Sequence, residues 1–279
     1  MSTSIKYRLR YTGEDADHNR LPAHAGATSL EGLTFSVSLL AHYLATGDIR
    51  HRGELSPKAK VYLQPAKQGS FVQDVVVFLT EPNNIFMTTI VGSYAVATVG
   101  QIANAFIANA LNEVLGLSAK RSGSEERWLS RFPSGDSEAL VDRIEPSMRR
   151  GHDVIDQGAT RLEITKGATP IVILDSDTKA WVNTNIVDDD YSVRTVSVSA
   201  FNANTGNGRA YLVDVGKTVP FSLTREPHKG SYETLASSLN RYTRGVDSRI
   251  HVTSKDVVSV DGRVKKLILD GALEIDPLI

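Results

Sequence analysis

The sequence predicts an α+β protein, with an N-terminal strand–helix–hairpin unit, central apolar helices and a small C-terminal β-barrel. Three observations support this fold class. Apolar and polar residues alternate near both ends of the chain, as they do in half-buried strands. An apolar stripe with helical spacing follows the first of these strands. No residue between Glu81 and Glu113 is charged, which is typical of helices hidden from water.

The N-terminal unit is predicted from periodicity and from helix end signals. Apolar residues alternate with polar ones over residues 5–11, which indicates a strand. Thr28 and Glu31 have the spacing of a capping box, and the apolar stripe that follows ends at Gly47, a common helix terminator. Residues 61–79 then predict a hairpin. A small antiparallel sheet with a helix on one face accommodates these elements.

The uncharged segment has three interpretations. It is a core helix or helical hairpin, a self-association surface, or a membrane-inserting element formed by residues 85–111, which are numerous enough to span a bilayer. Polar amides such as Asn104 and Asn109 need partners in hydrocarbon, which weakens the membrane interpretation. Small residues let helices approach closely. The candidates for self-association are Gly92, Ala95, Gly100, Ala103 and Ala108.

The chain is expected to contain three parts. Residues 1–118 form the N-terminal α+β domain, which includes the uncharged helical segment 83–112. Residues 119–168 are rich in charge and are expected to form a helical connector that Pro146 kinks. Residues 169–279 form a β-rich domain.

The β-rich domain has the element order β-β-β-α-β-β. Three alternating stretches begin near Val193, and clusters of turn residues separate them. Ser231 is expected to cap a short helix that ends at Gly245, and Asp261 with Gly262 signals a hairpin between the last two strands. This order fits a five-stranded barrel of the OB type, with a half-closed ββαβ sheet as the alternative.

Several short segments resemble sequences of uncharacterised bacterial proteins. They are Tyr7-Arg-Leu-Arg-Tyr-Thr-Gly, Gly69-Ser-Phe, Asn204-Thr-Gly-Asn-Gly, Pro220-Phe-Ser-Leu and Asp261-Gly-Arg. Together they extend over most of the chain. The resemblance implies a bacterial source, and it implies neither an activity nor a catalytic residue.

The composition excludes several classes of protein. Hydrophobic residues make up 41% and charged residues 23% of the 279 residues, as in ordinary globular chains. The absence of cysteine excludes disulfide scaffolds, iron–sulfur clusters and cysteine nucleophiles. A formal net charge of −1 provides no general attraction to nucleic acid or to an anionic membrane. No signal peptide precedes the first strand, so we expect a cytoplasmic protein.

Two acidic clusters are candidate metal ligands. Asp175 and Asp177 lie one residue apart after a predicted strand, so their side chains point the same way and could share a hard cation such as Mg²⁺. Asp188 and Asp190 follow further along the chain and complete the candidate set. The alternative is that both clusters are acidic turns.

The sequence contains no recognised catalytic motif. It has neither a Gly-x-Ser-x-Gly nucleophile elbow nor a phosphate-binding loop, and none of its seven histidines lies in a recognised catalytic motif. We therefore predict a non-enzymatic protein and no cofactor.

The β-rich domain is more basic than the rest of the chain. Residues 191–270 contain twelve Lys and Arg against seven Asp and Glu. A basic barrel with aromatic side chains suits single-stranded nucleic acid, whereas the alternative is an ordinary solvated surface. The candidate ligand-binding residues are Arg209, Arg241, Arg244, Lys265 and Lys266.

These observations predict a bacterial protein that binds or assembles and does not catalyse. We expect a homo-oligomer held by the uncharged helices, a C-terminal recognition barrel and a protein partner encoded nearby, and a role in defence is compatible. One alternative is a membrane-active effector that inserts residues 85–111. The other is a metal-dependent enzyme or a single-strand nucleic-acid binder.

Overall fold

Strand β1 (Thr3–Thr12) lies at the centre of a five-stranded antiparallel sheet in the N-terminal half of the chain. The predicted alternation is confirmed, because Ile5, Tyr7, Leu9 and Tyr11 are all buried while the residues between them are exposed or half-buried. The other strands are β2 (Ala59–Lys67), β3 (Val72–Leu79), β4 (Arg161–Lys166) and β5 (Thr169–Leu174), in the order β2-β3-β1-β4-β5.

The chain divides into two compact units, each with its own hydrophobic cluster. The first unit comprises Met1–Phe132 and Leu140–Asn183, and the second comprises Pro133–Ala139 and Thr184–Ile279. The computed structural model describes residues 3–67, 71–80, 86–92, 96–117, 122–133, 135–259 and 262–275. With helices and two sheets, it confirms the predicted α+β class.

Helices cover one face of the N-terminal sheet. Helix α1 packs on β2 and β3, and helix α3 packs on β1 and β5. The apolar side chains of β1 therefore lie between the sheet and these two helices. The helices are α1 (Ala23–Thr46), α2 (Phe86–Val91), α3 (Val96–Val114), α4 (Gly123–Leu129), α5 (Asp136–Gly151) and α6 (Ser176–Asn183).

Helix α1 begins earlier than the predicted capping box. Its first residue follows Pro22, and Thr28 and Glu31 lie inside the helix. Pro22 has a φ of −54°, which the proline ring imposes and which suits entry into a helix. The predicted end is confirmed, because Gly47 has a left-handed φ of 75° and its N–H donates to the Tyr43 carbonyl at 2.7 Å.

The uncharged segment contributes a helix to the core of the first unit. On α3, Ile102, Phe106 and Ile107 are buried in the hydrophobic cluster. The Phe106 ring stacks on Tyr43 of α1 with centroids 5.4 Å apart. This burial favours the core interpretation of the segment. Within the part of the chain that the structure describes, no helix has both the length and the apolarity needed to cross a bilayer.

The predicted helical connector differs from the structure in its second part. Helices α4 and α5 are present, and Pro146 lies inside α5. Residues 161–166, however, form strand β4, which pairs with β1 so that Leu162 lies opposite Tyr11. The local pattern did not reveal this strand because its pairing partner lies at the other end of the unit.

The boundary between the two units lies at a different residue from the domain boundaries predicted from the sequence. Strand β5 follows β4 through a turn at Gly167, whose φ is 61°, and Val172 pairs with Ile164 in the N-terminal sheet. Helix α6 comes next. The first unit therefore extends to Asn183, beyond the predicted boundaries after residues 118 and 168.

The second unit is a closed five-stranded barrel. Its strands pair in the order β11-β9-β8-β7-β10, and the β10–β11 pairing closes the barrel. All barrel pairings are antiparallel except β9–β11, which is parallel. This order confirms the OB-type prediction over the half-closed sheet. The elements are β6 (Ile186–Val187), which extends the sheet beside β10, and β7 (Ser192–Asn202), β8 (Asn207–Leu212), β9 (Lys217–Leu223), α7 (Ser231–Thr243), β10 (Arg249–Val258) and β11 (Val264–Glu274).

Helix α7 is attached to the barrel by two buried hydroxyl groups. The Ser231 hydroxyl donates to the His228 carbonyl at 2.6 Å and accepts from the Ala272 N–H at 3.2 Å. The Ser238 hydroxyl donates to the Ser248 carbonyl at 2.6 Å. Ser231 was expected to cap this helix, but it is the first helical residue, and Gly230 occupies the capping position.

Candidate functional site

The outer face of β8 and β9 is the candidate ligand-binding face of the barrel. Arg209 and Tyr211 point outward from β8, because the residues that alternate with them are buried, namely Gly208, Ala210 and Leu212. Their cross-strand neighbours on β9 are Pro220 and Thr218. The Tyr211 side chain is 39% exposed. An accessible aromatic ring therefore lies on the barrel surface beside a cation on the same strand.

Arg209 already has a partner within the second unit. Its guanidinium lies 3.5 Å from the carboxylate of Glu138, which is itself buried. The same segment provides Asp136, whose carboxylate accepts from the Asn202 amide at 2.8 Å. Gly135, with a φ of 84°, lies so close to Asn202 that a side chain would clash there. Residues 135–139 therefore pack against the β7–β8 loop and neutralise part of the charge of Arg209.

The other predicted basic residues do not form one patch. The Arg241 guanidinium lies 2.6 Å from the Glu274 carboxylate at the end of β11. Arg244 is exposed just after α7. Lys265 lies at the opposite end of β11, where its ammonium donates to the Thr184 carbonyl at 3.0 Å. Lys266 is the next residue of that strand. The predicted cations thus occupy separate regions of the second unit.

The four candidate metal ligands have structural or solvent-exposed positions. The Asp175 carboxylate accepts from the backbone N–H of Thr178 at 3.0 Å, as a residue preceding a helix does. Asp177 lies in the first turn of α6, and Asp188 and Asp190 are exposed. Among the described residues, no group of three or more Asp, Glu or His side chains is placed to hold a metal ion. For Asp175, the acidic-turn interpretation therefore fits better.

The small residues predicted for self-association have different environments. Ala103 is buried in the hydrophobic cluster of the first unit. A Cβ at Gly100 would lie 3.2 Å from the Thr3 side chain, so this glycine lets α3 approach β1. Gly92 is exposed and Ala108 is half-buried, while Ala95 lies outside the described residues. Two of the five residues thus serve packing within the unit, and self-association through the others stays a prediction.

A buried histidine network was not found from the sequence. His152 is fully buried, and its Nδ1 lies 2.7 Å from the Met148 carbonyl. Its Nε2 lies 3.1 Å from the Thr178 hydroxyl, which in turn lies 3.1 Å from the Asp175 carboxylate. Burial, the largest effect, lowers the pKa of His152 to about 4 against the opposing influence of the Met148 carbonyl.

This network is structural, because no substrate can reach a fully buried imidazole. Its members come from two elements that are distant along the chain. The Asp175-x-x-Thr178 spacing, which is typical of a helix start, is the only part that the sequence could have revealed.

Comparison with known proteins identifies the family but no activity. No curated protein matches the sequence. A mutant of the ferredoxin protease FusC, solved in complex with Arabidopsis ferredoxin, is similar at 12% identity over 97% of this chain, with a TM-score of 0.21. The chain spans only 37% of the length of that protein.

Two family models match the chain, and they divide it near the boundary between the two units. Residues 190–270 match the Family of unknown function (DUF7947). Residues 7–183 match the Domain of unknown function (DUF7946). Both matches confirm the expected resemblance to uncharacterised proteins. The longer of the two matches covers more than half of the chain, and the chain therefore belongs to the family described as Domain of unknown function (DUF7946).

Proposed function

We propose that this chain is a non-enzymatic binding protein whose barrel recognises single-stranded nucleic acid on the outer face of β8 and β9. The observation that carries the proposal is the exposed ring of Tyr211 on that face. In closed barrels with this strand order, the second and third strands form the surface that binds oligonucleotides. These strands correspond to β8 and β9.

The chemistry of the face suits unpaired bases. An exposed aromatic ring offers a stacking surface to any base, because every base has a π-face. Lys217, at the start of β9, is exposed next to the β8–β9 turn and adds a positive charge near Tyr211. The basic excess of residues 191–270 supports attraction of phosphate groups to this unit.

The proposal retains three features predicted from the sequence. These are a cytoplasmic location, a homo-oligomeric state and a protein partner, and a defence-associated role stays compatible with them. The exposure of Gly92 and the partial exposure of Ala108 support self-association through the uncharged segment. Light scattering of the purified chain at micromolar concentration is expected to give a mass above that of one chain, and a strict monomer would contradict this part.

The binding proposal is tested by fluorescence anisotropy with the full chain and a fluorescein-labelled single-stranded oligothymidylate. Tyr211→Ala is expected to weaken binding about tenfold, since base stacking on one aromatic ring contributes on this scale. Binding should also weaken as the salt concentration rises, because phosphate contacts release counterions.

Tyr242→Ala is the matched control for this experiment. Tyr242 is 48% exposed but lies on α7, outside the β8–β9 face, so its removal is expected to leave the affinity unchanged. Equal affinities of wild type and Tyr211→Ala would contradict the proposal, as would binding that does not depend on salt.

A further inference from the structure

The outer face of the N-terminal sheet carries a row of cations beside an exposed aromatic ring. On β1, Lys6, Arg8 and Arg10 alternate with the buried apolar residues and therefore point away from α1 and α3. Lys60 and Tyr62 point to the same side from β2, and Phe78 does so from β3. We call these six residues the basic sheet face.

Strand register brings these residues together. Tyr62 lies opposite Val76, and Val76 lies opposite Lys6, so Tyr62 and Lys6 occupy one row across three strands. Neighbouring strands are about 4.8 Å apart, which places the two Cα atoms about 10 Å from each other. Along β1, alternate residues are separated by about 6.8 Å. A single strand of nucleic acid carries one phosphate per nucleotide and can follow such a row of cations.

A buried carboxylate orients two of the cations. Asp74 of β3 is buried, and its oxygens lie 2.8 Å from the Lys6 ammonium and 3.1 Å from the Arg8 guanidinium. Desolvation, the largest effect, raises the pKa of Asp74, but the hydrogen bonds and charges of Lys6 and Arg8 together hold it below its usual value. The Lys6 and Arg8 side chains nevertheless remain 47% and 43% exposed. They are therefore positioned in advance for an anion.

The rest of the face remains positively charged. Arg10 and Lys60 are exposed on either side of the Asp74 group. Glu163 of β4 lies opposite Arg10 in the register, and it forms an ion pair of 2.9 Å with Arg161, so these two side chains cancel each other. The four cations of the basic sheet face thus outnumber the single carboxylate among them.

Tyr62 is a fixed platform for stacking. Its side chain is 49% exposed although it is large and aromatic. The Phe78 ring meets it edge-on, with centroids 5.6 Å apart and an angle of 77° between the planes. Edge-to-face packing restricts the orientation of both rings. A base that stacks on Tyr62 therefore meets a preformed surface.

We propose that the basic sheet face is a second binding site for single-stranded nucleic acid, with phosphates along Lys6, Arg8 and Arg10 and a base stacked on Tyr62. Charge complementarity selects a polyanion, and the exposed ring selects one with unpaired bases, since bases in a duplex are already stacked on their neighbours. The site lies in the first unit and does not depend on the barrel face of the proposed function.

The test measures anisotropy of labelled single-stranded oligothymidylate and oligouridylate with the full chain carrying Tyr211→Ala, so that the barrel face does not mask a loss at the basic sheet face. In this chain, adding Tyr62→Ala is expected to weaken binding of at least one probe about tenfold, whereas Tyr62→Phe keeps the ring and should leave the affinity unchanged. Arg10→Glu is expected to weaken binding and to lower the slope of log affinity against log salt by about 0.7, the value for one phosphate contact on a single strand.

Arg52→Glu is the matched control for the charge change. Arg52 is exposed in the loop between α1 and β2, outside the basic sheet face, so this variant should bind more tightly than Arg10→Glu. Far-UV circular dichroism and the urea unfolding midpoint of each variant verify that it is folded.

The outcomes separate this inference from the proposed function. If adding Tyr62→Ala or Arg10→Glu to the Tyr211→Ala chain leaves its affinity for both probes unchanged, the inference is overturned, even if Tyr211→Ala itself binds more weakly than wild type. Weak binding by the Tyr62 and Arg10 variants supports it, even if Tyr211→Ala binds like wild type. If only Arg10→Glu is affected and heparin competes as well as the probes, the face is a general polyanion surface and the assignment to single strands is overturned.

Discussion

His152 is held neutral by the residues around it. The Met148 carbonyl can only accept a hydrogen bond, so Nδ1 carries the proton of the neutral imidazole, and the unprotonated Nε2 faces the Thr178 hydroxyl. A second proton on Nε2 would place a positive charge in a buried site. This desolvation is the main reason why the pKa of His152 is lowered to about 4.

The lowered pKa of His152 predicts a loss of stability in mild acid. The unfolded chain binds a proton at this residue below about pH 6.5, whereas the folded chain resists it until about pH 4. The free energy of unfolding should therefore fall by about 2 kcal/mol between pH 7 and pH 5 on account of this residue. Urea unfolding of wild type and His152→Gln at both pH values measures the contribution.

Glutamine can donate to Met148 and accept from Thr178 but does not titrate, so His152→Gln should lose most of that pH dependence. Identical pH dependence in the two proteins would show that His152 is not responsible for it.

Asp74 shows how the basic sheet face depends on a residue from a neighbouring strand. The alternation Lys6-x-Arg8-x-Arg10 in the sequence already places three cations on one face of a strand. Only the pairing of β1 with β3 puts the Asp74 carboxylate between the first two of them. A row of cations is therefore predictable from the sequence, whereas its orientation by a buried acid is not.

At the level of elements, a close contact of α1 with α5 depends on one glycine. A Cβ at Gly32 of α1 would lie 2.3 Å from the Ser147 carbonyl oxygen and 2.5 Å from the Gly151 nitrogen, both of which belong to the backbone of α5. Backbone atoms cannot move aside as a side chain can. The two helices therefore approach each other at a point where only glycine fits.

Gly32→Ala is expected to destabilise the protein by about 1 to 3 kcal/mol through overpacking, although alanine favours helices more than glycine does. Chemical denaturation measures the change. Gly123→Ala is the control, because a Cβ on Gly123 of α4 would have no atom within 4 Å of it, so this substitution should be neutral or slightly stabilising. A Gly32→Ala variant as stable as Gly123→Ala would refute the close-contact argument.

The prediction of elements failed where the pairing partner is distant. Strands β4 and β5 were assigned to a connector and to the C-terminal domain, because the high charge content of residues 119–168 favoured a helical connector that ends before β5. In the structure, their hydrogen-bonding partners place them in the N-terminal sheet. By contrast, Gly47 ends α1 as predicted, because a left-handed terminator is a local property of the chain.

For the whole molecule, the two separate hydrophobic clusters predict separate unfolding of the two units. Both tryptophans, Trp128 and Trp181, belong to the first unit. Tryptophan fluorescence therefore reports the first unit, while far-UV circular dichroism reports both.

Leu235→Ala tests this independence. Leu235 of α7 is fully buried in the barrel cluster, so its truncation should destabilise the second unit by about 3 kcal/mol. We expect the circular dichroism curve to become biphasic while the fluorescence midpoint stays unchanged. Leu40→Ala, in the first cluster, should shift the fluorescence midpoint instead. A fluorescence midpoint that moves with Leu235→Ala would indicate one cooperative unit.

By itself, the sequence determined the features that depend on local period and turn chemistry. These include the alternation of β1, the end of α1 and the β-β-β-α-β-β order of the barrel. Hydrophobic period and glycine turns act over a few residues, so they can be recognised without a fold.

The tertiary structure decided what depends on contacts between distant residues. It placed β4 and β5 in the first sheet and closed the barrel through β10 and β11. It also packed the small residues Gly100 and Ala103 against their own unit and placed Lys6 and Tyr62 in one row across three strands. The packing of α3 is a helix contact, and strand register sets all the others. Register is fixed by the burial of one whole face of a sheet, and no short segment of sequence encodes that burial alone.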